Sequence, residues 1–166
     1  MNLIYQNADI HDMNEIVRIY NSTISLKTVT ADTESVSIES RLSWFYAHNK
    51  DVYPLWIVKK EDIIIGWVSF QPFYGRPAYK TTAEISIYLD EKCRNKGYGK
   101  EILKYSIEQC AKLKIKTLLG FVFSKNYPSI ELFSAMGFME WGNLLNIAEI
   151  GGGELSLKIL GMRVLR

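Results

Sequence analysis

The segment that most restricts the fold runs from Thr81 to Leu113 and reads TTAEISIYLD, EKCRNKGYGK, EILKYSIEQCAKL. In its first block Ala83, Ile85, Ile87 and Leu89 alternate with Glu84, Ser86 and Tyr88. That is the period of a strand with one apolar and one polar face. In its last block Ile102, Leu103, Ile107, Cys110 and Ala111 recur at helical spacing and form one apolar stripe. Between the two lie Gly97, Gly99 and the basic side chains of Arg94, Lys96 and Lys100. A strand that feeds a glycine turn into a helix presents unpaired N–H groups and the positive end of the helix dipole at one point. Taken alone, the loop is either an anion site or a solvated turn.

Two phosphate motifs fail here. The dinucleotide fingerprint needs a third glycine, but Gly97-Tyr98-Gly99 is followed by Lys100, Glu101 and Ile102. The P-loop needs four residues between its glycines and Ser or Thr after its lysine, and Glu101 follows Lys100. Nucleotide binding is weakened accordingly.

The remaining sequence predicts a mixed order. Leu3 to Gln6 reads as a strand, and Asp9 caps a helix carrying Met13, Ile16, Val17, Tyr20 and Ile24. The polar run Thr28 to Ser35 is a loop, with Asp32 or Thr33 as cap of a second helix that buries Val36, Leu42 and Phe45 and ends near His48. Leu55–Lys60 and Ile63–Phe70 form a hairpin turning at Glu61 and Asp62, and Gln71–Lys80 is an irregular excursion. Thr117–Phe123 is a strand, and a short helix with Pro128 in its first turn stops at Gly137. Two final strands are joined by Gly151, Gly152 and Gly153. The expected fold class is α/β in the α+β sense, a mostly antiparallel central sheet with helices on both faces.

With 166 residues, 48% of them hydrophobic, the chain suits a single buried domain spanning 1–166. A net charge of +2 gives no global reason for nucleic acid or an anionic membrane as partner. Cys93 and Cys110 lack CxxC spacing, so reduced thiols are expected. His11 and His48 have no neighbouring ligand residues, and no metal site is proposed. No apolar run approaches the roughly 20 residues of a membrane span, and the start lacks signal-peptide character. A cytoplasmic location is the expectation.

The run Arg94-x-x-Gly97-x-Gly99, placed between strand and helix, resembles the Q/R-x-x-G-x-G/A signature of the GNAT superfamily of acyl-CoA-dependent acyltransferases. YPLWIV, IIGWVSF, QPFYGRPAYKTTAEISIYL and NYPSIELFSAMGF are similar to the phosphinothricin and methionine sulfone/sulfoximine acetyltransferase branch, densely from Tyr53 to Phe138. The resemblance implies acetyl-CoA as co-substrate, a small-molecule amine as acceptor and a homodimer. It implies that the backbone of Arg94, Asn95, Lys96, Gly97, Tyr98, Gly99 and Lys100 holds the CoA diphosphate. Ile87, Tyr88 and Leu89 would pair with the pantetheine arm like an added strand, and Asn126 and Ser129 would lie beside it. For Asn126 a simple helix cap is the competing reading.

An amine is mostly protonated at neutral pH, so a base must take its proton. Glu84, on the polar face of the strand, is the candidate catalytic residue; an exposed strand glutamate in an ion pair is the alternative. A backbone N–H near Ser86 or Ile87 would meet the oxyanion, again by resemblance. Arg76 matches the arginine that the branch places at the substrate entrance, with Phe73, Tyr74 and Tyr79 as pocket walls; a surface arginine beside packed aromatics is the plain alternative.

Three departures stand out. Phe133 occupies the position where relatives carry tyrosine or histidine, and it cannot donate a proton. Ala31 and Asp32 replace an aromatic and a basic residue, and GGGELSLKILG lacks the branch's Trp/His/Asp pattern. Both put phosphinothricin itself in doubt. The function expected is acetyl transfer to the primary amine of a small molecule such as an amino acid. The alternatives are a protein or peptide N-acetyltransferase, or an acyl-CoA-binding module without turnover.

Overall fold

The alternating run around Glu84 folds as the fourth strand, β4 (Thr82–Leu89), in a computed structural model that describes residues 2–165. The strands before it are β1 (Ile4–Asn7), β2 (Leu55–Lys60) and β3 (Ile63–Pro72). Those after it are β5 (Thr117–Phe123), β6 (Met139–Ile150) and β7 (Gly153–Arg163). The helices are α1 (Met13–Ile24), α2 (Ile38–Tyr46), α3 (Tyr98–Gln109) and α4 (Tyr127–Ala135). The strands form one sheet in the order β1-β2-β3-β4-β5-β7-β6. Every neighbouring pair is antiparallel except β4 and β5, which run parallel because α3 carries the chain across between them.

The two faces of the sheet are covered as the patterning requires. Ala83 and Ile85 of β4 pack with Ile102 and Leu103 of α3 and Phe133 of α4. On the opposite face Met13, Ile16 and Ile19 of α1 meet Leu55, Ile57 and Trp67, with Tyr88 packed against them. The β2–β3 turn is at Glu61 and Asp62, both left-handed (φ 50° and 65°), which suits a two-residue hairpin with the twist of its strands.

Two helix starts differ from the expectation. Asp9 caps a short 3-10 turn, Ile10–Asp12, and α1 follows it. The second helix is capped by Ser37, whose Oγ accepts from Ser40 N, and it begins after Val36. Asp32 is unavailable as a cap because its carboxylate accepts from Tyr20 Oη and Arg41 Nη2. Leu42 and Phe45 of α2 are half-buried, not core.

Candidate active site

The β4–β5 ladder is short. It pairs Thr82 with Thr117, Ala83 with Leu118 and Glu84 with Leu119, and no further rung follows. Beyond Glu84, β4 stays paired only with β3, while β5 continues beside β7. The strands therefore part, and the sheet opens at their C-terminal ends. The phase of the β3–β4 ladder sets what faces this opening. Phe73 N donates to Thr82 O and Asp90 N donates to Ile65 O, so the hydrogen-bonded pairs are those of residues 82, 84, 86, 88 and 90. The N–H and C=O of Ile87 and Leu89 consequently point away from β3, toward the opening. Leu89 O accepts from Arg94 Nε at 3.2 Å. Ile87 is left to offer a strand-like donor and acceptor pair.

Two helix starts flank this edge of the sheet. Gly97, at φ 83°, is the N-cap residue of α3 and supplies no side-chain cap, and Asn95 before it is also left-handed (φ 59°). The first helical bond runs from Glu101 N to Gly97 O, so the N–H groups of Tyr98, Gly99 and Lys100 have no carbonyl within the helix. Lys96 and Lys100 are exposed beside them. Tyr98 is buried, its hydroxyl accepting from Lys60 Nζ at 3.0 Å, and anchors the helix start. A Cβ on Gly99 would lie 3.2 Å from Leu132 Cδ2, so this glycine seats α3 against α4. At α4, Asn126 is buried and its Oδ1 accepts from Ser129 N at 3.3 Å, which is a helix cap.

The polar face of β4 looks into a cavity of about 230 Å³ between the sheet and helices α1 and α2. Glu84, Ser86 and Tyr88 form one wall, with Ser69, Gln71 and Trp67 from β3 beside them. Ile16, Val17 and Tyr20 of α1 and Arg41 and Trp44 of α2 complete it. Trp67 stacks on Tyr88 (4.5 Å between ring centres, 22°) and donates from Nε1 to Ile16 O at 3.1 Å, which ties wall to helix. Glu84 sits on the last rung before the strands part, and burial raises its carboxyl pKa above the usual glutamate value. Tyr88 is also pushed upward, by burial first and then by Tyr20. Arg41 faces the cavity with its guanidinium 4.7 Å from the Tyr20 ring centre and its Nη2 donating to Asp32. The cavity thus holds one carboxyl that resists ionisation and one fixed cation, set among aromatic walls.

The sequence-predicted residues divide between these places. Glu84 and Tyr88 line the cavity, and Ile87, Leu89 and the 94–100 loop surround the opening. Phe73, Tyr74, Arg76 and Tyr79 lie on the turn after β3, mostly exposed, and none lines the cavity. The three aromatics pack among themselves, with Phe73 edge-on to Tyr74 and Tyr79. Phe133 is buried over Gly120, at whose position an added Cβ would lie 2.6 Å from its ring. Sequence reasoning missed Arg41, Tyr20 and Trp44. Arg41 and Trp44 leave only an arginine and an aromatic one turn apart on α2 as a local signal, and Tyr20 reads only as part of the apolar stripe of α1; the cavity they serve exists only once α2 docks. Among the described residues no group of His, Cys, Asp and Glu could hold a metal ion, and no helix is long and apolar enough to cross a membrane.

Comparison with known proteins agrees with this geometry. The sequence profile of the acetyltransferase (GNAT) family matches residues 14–138. YwnH of Bacillus subtilis, provisionally assigned as a phosphinothricin acetyltransferase, is 46% identical over 93% of this chain and 94% of its own. A crystal structure assigned in the same way is 44% identical, with a TM-score of 0.95 over 99% of this chain and 100% of the other. The phosphinothricin acetyltransferase of Sinorhizobium meliloti, solved with acetyl-CoA, shares the fold at a TM-score of 0.90 and 24% identity, over 98% and 89% of the two chains. An opened parallel strand pair, two helix starts at its edge and a cavity behind it are thus found in a chain that belongs to the GNAT acetyltransferase family.

Proposed function

We propose that this acetyl-CoA-dependent N-acetyltransferase acts on a small amino acid or amino-acid analogue, with Glu84 as the base and Arg41 as the partner of the acceptor's carboxylate. The observation that carries the reading is the position of Glu84. It lies on the cavity wall at the rung where β4 and β5 part, so one carboxyl borders both the cavity and the opening.

Acetyl-CoA supplies the thioester. The residues of the chain do the rest. The N–H groups from Tyr98 to Lys100, at the positive end of α3, suit a diphosphate, and the Ile87 C=O and Leu89 N–H suit strand-like pairing with an amide-bearing arm. Glu84 takes a proton from the acceptor's ammonium group, directly or through a water. The free amine then forms the C–N bond at the thioester carbon, the C–S bond breaks to release the CoA thiolate, and the second proton of the nitrogen passes to water or to the departing thiolate. The negative oxygen that develops is met by the Ile87 N–H, which faces the opening. Phe133 cannot protonate the departing sulfur, and a thiol of ordinary pKa, about 8.5, leaves adequately as thiolate. The raised pKa of Glu84 matches this task, because a stronger base is a better proton acceptor near neutral pH. Arg41 brings a planar set of donors, of which Asp32 occupies Nη2. The whole of residues 1–166 serves as one acetyltransferase domain, and the cytoplasm is where we place the reaction.

The test follows free thiol release from acetyl-CoA with a panel of amino acids, polyamines and peptides. Turnover with amino acids is expected, and Glu84→Gln should lower kcat/KM by about 100-fold or more. Unchanged turnover of that variant from pH 6 to 9 sinks the base assignment, and no thiol release on any acceptor sinks the catalytic reading.

We also infer a homodimer. β6 is a 12-residue edge strand whose Met139, Trp141, Leu145 and Ile147 are exposed, and such an edge invites a covering partner.

A further inference from the structure

Arg94 opens the glycine run of the loop, yet its side chain is half-buried and two of its five N–H donors bond within the protein. Its Nε donates to Leu89 O at 3.2 Å and its Nη2 donates to Ser22 Oγ at 2.8 Å. Ser22 Oγ in turn donates to Ile19 O at 2.6 Å. One turn earlier on the same face of α1, Arg18 Nη2 donates to Asp90 Oδ2 at 2.5 Å. Asp90 is buried, accepts from Lys92 N at 2.8 Å and donates from its own N to Ile65 O at 2.9 Å. The segment between β4 and α3 is therefore tied to α1 at its start, through Asp90, and at its middle, through Arg94. That same helix lines the cavity through Ile16, Val17 and Tyr20.

The segment needs such support. Asn95 is left-handed without being glycine, a conformation that L side chains adopt at a cost and that the surroundings must maintain. A loop left to relax would no longer aim its N–H groups together, and ordering it at the moment of binding would reduce affinity.

We propose that Arg94 and Ser22 are positioning residues: Arg94 acts as an internal splint that fixes the 95–100 loop against α1 and does not contact the diphosphate through its side chain. This inference rests on the reading of that loop as the diphosphate site. It makes α1 a shared support for donor loop and acceptor cavity.

Steady-state kinetics of Ser22→Ala, Arg94→Lys, Arg94→Gln and the Ser22→Ala/Arg94→Gln double variant test it, with melting temperatures recorded alongside. A splint predicts that Ser22→Ala raises KM for acetyl-CoA about 5-fold and Arg94→Gln about 10-fold, the scale of one or two lost hydrogen bonds. Arg94→Lys keeps the charge but not the fork, so it should resemble Arg94→Gln. The double variant should lie within about twofold of Arg94→Gln, because both changes break one linkage. The acceptor KM should move far less than the donor KM, a split that general destabilisation would not give. The opposite pattern overturns the inference: Ser22→Ala at the wild-type donor KM, with Arg94→Lys also near wild type and Arg94→Gln impaired, marks a charge contact to phosphate. Lys100→Glu separates the two levels of the reading. A raised donor KM there with a silent Ser22→Ala removes only the splint, whereas an unaltered donor KM removes the loop assignment and the inference with it.

Discussion

Glu84 and Arg41 show what single residues can and cannot declare in a sequence. Glu84 was legible because a strand's alternation is local: a glutamate in register with Ser86 and Tyr88 has to share their face. Its burial has a stability consequence of definite sign. A folded-state pKa above the unfolded value means that the folded chain holds the proton more tightly. The stability linked to it is present below the ordinary glutamate value of about 4.3 and is lost as pH rises through the raised one. Glu84→Gln should therefore melt higher than wild type at pH 7 to 8 and match it near pH 4, while its kcat/KM stays low; scanning calorimetry across that range checks the sign. Arg41 was not legible, because SIESRLSWFY reads as a half-exposed helix and the cavity arises only from docking. If Arg41 meets a carboxylate, Arg41→Gln should raise KM for an amino acid about 10- to 100-fold, the worth of a charge-assisted hydrogen bond. The effect on the corresponding decarboxylated amine should be much smaller, and equal losses on both acceptors would reject the role.

The order and type of the elements followed from period and punctuation, and the errors came where tertiary contact overruled a local signal. Asp32, Thr33 and Ser37 are all competent caps; Tyr20 and Arg41 claim Asp32, and it is Ser37 whose Oγ takes the Ser40 N–H. The aromatics from Phe73 to Tyr79, expected by resemblance as pocket walls, lie on the turn after β3 and do not line the cavity between the sheet and helices α1 and α2. The contact between β5 and α4 makes a sharper case. Gly120 looks like an ordinary strand glycine, but Phe133 lies on it so closely that an added Cβ would meet ring atoms at 2.6 and 2.9 Å. Phe133 is pinned from another side by Phe138, edge to face at 4.8 Å. Gly120→Ala should thus cost about 1–3 kcal/mol through overpacking and lower the melting temperature by several degrees. Pairing it with Phe133→Leu should recover part of that loss. Additive penalties in the double variant would show that the ring and the glycine are not the conflicting pair.

At the scale of the whole molecule, the sheet has two different edges. β1 ends it with four residues, a length that limits what can pair there. β6 ends the other side with twelve, broken by irregularities between Glu140 and Gly142 and between Leu144 and Ala148. Leu145 is 76% exposed, Met139 65% and Ile147 58%. Apolar side chains at such exposure, gathered on one long edge, are a liability in a monomer. A second copy offers the simplest cover, since a two-fold axis matches one patch to itself. Irregular pairing between β6 and β7 also bends the edge, which disfavours open-ended strand addition and leaves side-chain packing as the means of association. The expected result is a dimer in sedimentation velocity that Leu145→Lys combined with Ile147→Lys converts to a folded monomer. Both substituted side chains are exposed, so circular dichroism should be unchanged. A wild-type protein that sediments as a monomer at high micromolar concentration would remove the dimer and leave the acetyltransferase reading untouched. If the charged variant dissociates and keeps its acceptor KM, the cavity is complete within one chain. If that KM rises with dissociation, the partner copy contributes to the acceptor site.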